Sequence, residues 1–397
     1  MPPVSASYPP HLPIHIEGDR NFSSTNGVVR GTGAPADPFI IEHWDISAAS
    51  GDGIFVRNTT ASFVIRNVTV HSGVNSSNDG VVLCNVTNAR IESTTATDNF
   101  HGIHVERSMG LLLINNTVSS DWNGFYLDSV SNVTLRGNLA EQNSDGVHIL
   151  LSTSVVATEN RFLRNVWGID LETASDNITL ENNEFSQNGI GISAQYQLSA
   201  IVISRNVLVG HDFGLWIGQT KNGTITDNTI SDGRDGIAIW ESDGLVIARN
   251  SIARNNRSGL SIVSSARISV YHNNFVSNAA QARDLSGTGS SWDDGYPSGG
   301  NYWSNYSGQD RCRGELQDDC SSPDGIGDAP MLVEGGPRDR YPLMTPYGQV
   351  TNPPSSLPFS LLLTITLTGA GAVILSIIAF LYVRRRARSK RDGNARR

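Results

Sequence analysis

The side chains best able to do chemistry recur at fixed places in a repeated tetrapeptide. Glycine, an apolar residue, any residue and a second apolar residue recur from Gly53, Gly80, Gly102, Gly124, Gly146, Gly168, Gly191, Gly214, Gly236 and Gly259. On a strand, the residues one and three after the glycine face inward, so the one between them faces solvent. That outward column reads Phe55, Val82, His104, Tyr126, His148, Asp170, Ser193, Trp216, Ala238 and Ser261. Two positions further along stand Glu106, Asp128 and Glu172, and one before the glycine stand His101 and Asp145. Aromatic rings stack on sugars, while carboxylates and imidazoles bind hydroxyls. His104, Tyr126, His148, Asp170, Trp216, Glu106, Asp128 and Glu172 are therefore the expected ligand-binding set, on coils three to eight. A plain polar strand face is the alternative. Acid–base work needs two groups flanking a bond. His148 and Asp170, one coil apart, are the candidate pair. His104 and His148 lie two coils apart, about 9–10 Å by the strand spacing, too far to share a metal.

What must position these residues is the repeat itself. After a first gap of 27, the glycine spacing is 22 or 23 throughout. Each period holds three short apolar runs, such as FYL, VTL and Leu139 after Gly124. Runs so short are strands, not helices. Three strands and three turns per period predict an all-β, right-handed, single-stranded parallel β-helix of about ten coils. Leucine-rich repeats share the period but need a leucine consensus with helical character, which is absent. An asparagine stands fourteen residues beyond the glycine in eight of ten coils, including Asn116, Asn138, Asn160, Asn182, Asn228 and Asn250. It is expected in a tight turn, bonding the asparagines above and below it. This ladder is architecture and not chemistry.

The solenoid sets the boundaries: a disordered segment 1–13, an N-terminal cap 14–50, repeats 51–285 and a C-terminal cap 286–344. A Pro-rich stalk 345–358, a transmembrane helix 359–383 and a basic cytoplasmic tail 384–397 complete the chain. Leu361 to Val383 carries no charge, enough residues at a helical rise to cross the hydrocarbon. The RRRARSKR that follows is expected to stay cytoplasmic, with the large domain extracellular. No signal peptide is visible, which favours a start assigned downstream of the true one. Eleven N-x-S/T sequons precede the membrane segment and agree with the outward placement. The formal net charge is −9; the last fourteen residues contribute +7, leaving −16 on the rest. So acidic a domain argues against nucleic acid as a partner. Cys84 reads as a small buried side chain. Cys312 and Cys320 close a short loop suited to a disulfide, with no His or further Cys nearby to suggest a metal.

Three stretches resemble archaeal surface β-helix proteins with NosD-type and pectate-lyase-like repeats. They are GTGAPADPFIIEHWDI (Gly31 to Ile46), the glycine and asparagine coils, and GNYWSNYSG (Gly300 to Gly308) with DGIGDAP and RYPLM. The resemblance covers nearly the whole large domain and implies sugar-binding or sugar-cleaving repeats. NosD proteins are linked to copper-centre maturation; this chain has only four Met and no Cys- or Met-rich copper motif. Relatives often carry a DxDGDGIGD calcium loop. Here the insertion between Cys312 and Cys320 interrupts that pattern, leaving Asp324 and Asp328 as candidate calcium ligands beside a disulfide-pinned cap loop as the alternative.

Two functions stand open. The first is a membrane-anchored, non-catalytic surface protein for glycan binding, adhesion or scaffolding, with a polysaccharide or glycoprotein partner. The second is a polysaccharide lyase, hydrolase or epimerase working on the face of coils three to eight. A NosD-like copper-maturation scaffold is a third, weaker reading.

Overall fold

The computed structural model describes residues 8–74, 77–286 and 289–348. They form an all-β parallel solenoid of about eleven turns. Three sheets of 12, 13 and 14 strands run its length. The 12-stranded sheet carries the glycine tetrapeptides, from Ile14–Glu17 through strands such as His101–Glu106 and Asp145–Leu150 to Ala280–Leu285. Coil-to-coil register is one residue on one residue: His104 pairs Tyr126, Tyr126 pairs His148, and His148 pairs Asp170. This register makes columns of like residues. Ile103, Phe125, Val147, Ile169, Ile192, Leu215, Ile237 and Leu260 form one fully buried column.

The glycines are required by close approach. A Cβ on Gly146 would lie 2.5 Å from the carbonyl oxygen of Gly168, and one on Gly168 would lie 2.5 Å from that of Gly191. The same clash repeats along the column, so only a hydrogen fits between stacked coils.

Side-chain amides tie the coils at the turn between the other two sheets. The backbone N–H of each ladder asparagine donates to the side-chain oxygen of the next, running Asn116, Asn138, Asn160, Asn183, Asn206, Asn228, Asn250, Asn273 and Asn301. Each is buried. The ladder corrects the expectation for Asn182. The coil after Gly168 turns through Thr173 and Ala174, both at positive φ, and this extra residue moves the ladder to Asn183. Asn182 is the exposed residue just before it, at φ 54°. The left-handed position thus precedes the ladder residue instead of coinciding with it. A second ladder runs through Asn99, Asp121, Asn143, Asn165, Asn188 and His211. A third uses serine hydroxyls, including Ser152, Ser175, Ser242 and Ser265.

The same turn geometry accounts for most sequons. Asn58, Asn67, Asn85, Asn115, Asn132, Asn177 and Asn222 all sit at positive φ. Each precedes a buried residue and then a threonine, which lies on a strand in five of the seven. Asparagine tolerates the left-handed turn and threonine favours the strand, so the fold itself writes N-x-T.

The first turn begins earlier than the repeat suggested. Pro10–His11 pairs with Asp45–Ile46, and Ile14–Glu17 with Ile54–Arg57. Part of the segment expected to be disordered is therefore strand, and the expected cap supplies a full turn. IHIE alternates buried and exposed like its neighbours but lacks the glycine that marked the others. Stacked Phe22 and Phe39 close this end. At the other end Phe275, Trp292 and Trp303 pack together. Asp339, fully buried, accepts from Trp303 Nε1 (2.8 Å) and Asn301 N (2.7 Å). Residues 351–397, with the expected membrane segment, lie outside the described residues. Among the described residues no helix is long and apolar enough to cross a membrane.

Candidate functional site

The 12-stranded sheet carries two carboxylate–histidine groups on one face. In the first, Asp79 Oδ1 lies 2.9 Å from His101 Nδ1 and Asp79 Oδ2 lies 2.7 Å from His104 Nδ1. The His101 backbone N–H also donates to Asp79 Oδ1 (3.0 Å). In the second, Asp145 Oδ2 lies 2.9 Å from His148 Nδ1, and Glu172 Oε2 lies 3.7 Å from His148 Nε2. Asp170 is the register partner of His148. One ligating atom from each of Asp79, His101 and His104 lies within 4.8 Å of the others, and the same holds for Asp145, His148 and Asp170.

Tyr126 separates the groups. Its ring stacks on His101 (4.6 Å), meets His104 edge-on (5.0 Å) and tilts against His148 (5.4 Å). Asn123 joins them beneath. With its amide nitrogen turned to Asp145 Oδ2 (2.9 Å), its oxygen lies 3.2 Å from His101 Nε2. The buried Nε2 atoms of His104 and His148 accept or donate no hydrogen bond. Two imidazoles are thus fixed through Nδ1 by carboxylates, with Nε2 left over, the arrangement that prepares either a proton carrier or a ligand.

The surroundings shift the titrations. Burial would raise Asp79, but hydrogen bonds from His101 and His104 outweigh it and hold the carboxyl far below its usual range. Burial lowers His101, against the pull of Asp79. For His148 burial acts downward too, but the Asp145 hydrogen bond and the charges of Asp145, Asp170 and Glu172 win, and its value rises. Asp170 is pushed up to about 7, first by burial and then by the Asp145 charge.

The expected outward stripe is therefore sunk among its neighbours, a band we call the trough. His104, Tyr126, His148 and Trp216 are half-buried, while Asp170 and Ser193 are buried at 7% and 0% exposure. The column before the glycine lines the same face and shields it. Of that column His101 and Asp145 stood out in sequence; Asp79 and Asn123 did not, although reading the column whole would have found them. Of the expected set, His104, Tyr126, His148, Asp170 and Glu172 come together. Trp216 lies two coils beyond Asp170 and stacks on Phe213 at 5.2 Å. Glu106 pairs with Arg107 (2.6 Å), and Asp128 accepts from the Ser129 hydroxyl.

The end loop holds the Cys312–Cys320 disulfide. Asp328 accepts backbone N–H bonds from Arg311 and Cys312, and Asp324 from Ile326. Gln317 Nε2 donates to the other oxygen of Asp324. These carboxylates brace the loop.

A family model described as periplasmic copper-binding protein (NosD) matches residues 28–212 and 141–308. No curated protein matches at a significant level. Among solved structures, a single-site mutant of the periplasmic alginate epimerase AlgG is 13% identical with TM-score 0.54, over 72% of this chain and 78% of that one. PfbA, a surface adhesin of Streptococcus pneumoniae, is 12% identical with TM-score 0.42, over 80% and 84%. The catalytic unit of a GH87 α-1,3-glucanase from Streptomyces thermodiastaticus is 13% identical with TM-score 0.42, over 66% and 60%. At such identities the likeness is one of fold. The two family matches overlap and together span well over half of the chain, which belongs to the NosD family.

Proposed function

We propose that the trough binds a neutral polysaccharide and hydrolyses it by acid–base chemistry at Asp145, His148, Asp170 and Glu172. The observation that carries this reading is the placement of buried Asp170 next to a histidine fixed by a second carboxylate. Asp170 and His148 together retain a proton near neutral pH, which suits donation to a leaving glycosidic oxygen. Glu172, beside His148 Nε2, is the carboxylate placed to take a proton from water. Asp145 positions His148, and its charge adds to the burial that raises Asp170. Charge favours a neutral substrate: Asp79, Asp145 and Glu172 crowd one face and repel uronate polymers. Elimination and epimerisation both act on a uronate, so hydrolysis is preferred. The test is reducing-end release from soluble neutral glycans by the full chain, Asp170→Asn and His148→Ala. Release lost in both variants supports hydrolysis. Binding without release returns the protein to a non-catalytic adhesin or scaffold.

The Asp79, His101 and His104 group supports a second reading, a divalent-ion site, because the family description names copper. Its oxygen and nitrogen donors, with the unpartnered His104 Nε2, fit Cu(II). Copper held there would be stored cargo. We further place the large domain outside a membrane, anchored through Leu361 to Val383.

A further inference from the structure

Three coils beyond His148 on the same sheet, Trp216 stands between small residues. Its register partners are Ser193 and Ala238. The ring contact the structure gives it is Phe213, stacked at 23° between planes. Phe213 is held from elsewhere. Arg234 and Arg257 lie over its ring at 4.7 and 5.6 Å. Arg257 is itself fixed by Asp235, with Nε–Oδ1 at 2.8 Å and Nη2–Oδ2 at 2.6 Å. Asp235 is 1% exposed. A buried carboxylate thus sets an arginine, the arginine a phenyl ring, and the phenyl ring an indole. Next to it, Trp240 lies across Gly218, where any Cβ would fall within 2.5 Å of three indole atoms.

We infer that Trp216, buttressed by Phe213, is a stacking subsite for a pyranose ring of a neutral polysaccharide. The inference rests on the proposed function, because the same polymer must reach His148 and Asp170. Charge fits this occupant. Asp235 offsets one of the two arginines, and the trough toward His148 is acidic, so an anionic chain gains nothing by running between them. Pyranose rings present apolar C–H faces to an indole at little entropic cost when the indole is already fixed. Three strand spacings separate Trp216 from His148, about 14 Å. That is the reach of a short oligosaccharide and beyond that of a disaccharide.

The test is calorimetric titration of the full chain in detergent with neutral disaccharides and hexasaccharides of glucose, mannose, galactose and N-acetylglucosamine. The wild type should bind one hexasaccharide more tightly than its disaccharide. Trp216→Ala should lose about tenfold on the hexasaccharide and nothing on the disaccharide. Trp216→Phe should recover most of the loss, which separates stacking from misfolding. A hexasaccharide affinity unchanged in Trp216→Ala overturns the subsite even if the protein hydrolyses glycans. Affinity lost in Trp216→Ala with no reducing ends released by the wild type keeps the subsite and removes hydrolysis. Failure of every hexasaccharide to bind removes both.

Discussion

Replacing Asn183 with alanine should destabilise the solenoid several times more than the same change at Asn182, although the two are adjacent. Asn183 is 2% exposed. Its amide donates to Ala157 O (2.9 Å) and to Asn206 Oδ1 (3.0 Å), and its oxygen accepts from Asn160 N and Asn160 Nδ2 (both 3.0 Å). Alanine removes all four bonds. Asn160 Nδ2 keeps Leu135 O, and Asn206 Oδ1 keeps the Asn183 backbone N–H. The buried Asn160 N–H has no replacement, while Ala157 C=O stays within a paired strand. The orphan costs about 1–3 kcal/mol and each of the other three lost bonds about 0.5–1.5 kcal/mol, roughly 3–7 kcal/mol together. Asn182 is exposed and accepts only from Arg205 Nε at 3.2 Å. Its loss costs mainly the left-handed backbone preference, about 1 kcal/mol. Urea unfolding by circular dichroism measures both. Because a solenoid is held by nearest-neighbour interfaces, Asn183→Ala should also broaden the transition by separating the two halves. Equal effects at the two positions, or a larger one at Asn182, would refute the ladder as the source of coil-to-coil stability.

Asp170→Asn should raise the melting temperature at pH 8 and leave it nearly unchanged at pH 4. The folded value of about 7 lies above the ordinary carboxyl range, so the folded state holds an extra proton between pH ~4 and 7 and loses stability as pH rises through that window; thermal scans at both pH values read it. His211 has the opposite sign: burial brings it down to about 4, so acidification from pH ~6.5 to 4 should destabilise the fold, and His211→Asn, which restores an asparagine to the second ladder, should flatten that loss. Gly168→Ala should cost more than about 2 kcal/mol, since its Cβ meets Gly191 O at 2.5 Å and Phe185 Cδ1 at 2.7 Å; chemical denaturation checks it. Calcium at millimolar concentration should leave the melting temperature unchanged, because Asp324 and Asp328 are already engaged in loop hydrogen bonds; a rise of several degrees would support the calcium reading.

The solenoid was legible because its determinants are periodic. A glycine that must clear a carbonyl and an apolar pair that must fill a column leave marks every 22 or 23 residues. Legibility failed where periodicity slipped by one. Thr173 and Ala174 add a residue to their turn, so counting fourteen from Gly168 lands on Asn182 when the ladder uses Asn183. It failed again at Ile14–Glu17, a strand that stacks without a glycine. The site was half legible. His104, Tyr126, His148 and Asp170 stood out because a column of outward positions is unusual in holding such residues. Their anchors Asp79 and Asn123 sit before the glycine, where alternation along a strand does not say which way a side chain turns. Whether that column opens to solvent or sinks into a trough depends on neighbouring coils, and only the packed structure supplies it.

The most direct test of the proposed function is a crystal structure of the Asp170→Asn variant soaked with the neutral oligosaccharide that binds most tightly. Sugar density along the 12-stranded sheet from His104 to Trp216, with a glycosidic oxygen within hydrogen-bonding distance of residue 170, is the predicted result. Sugar bound on another face, or an empty trough at saturating oligosaccharide, would contradict it.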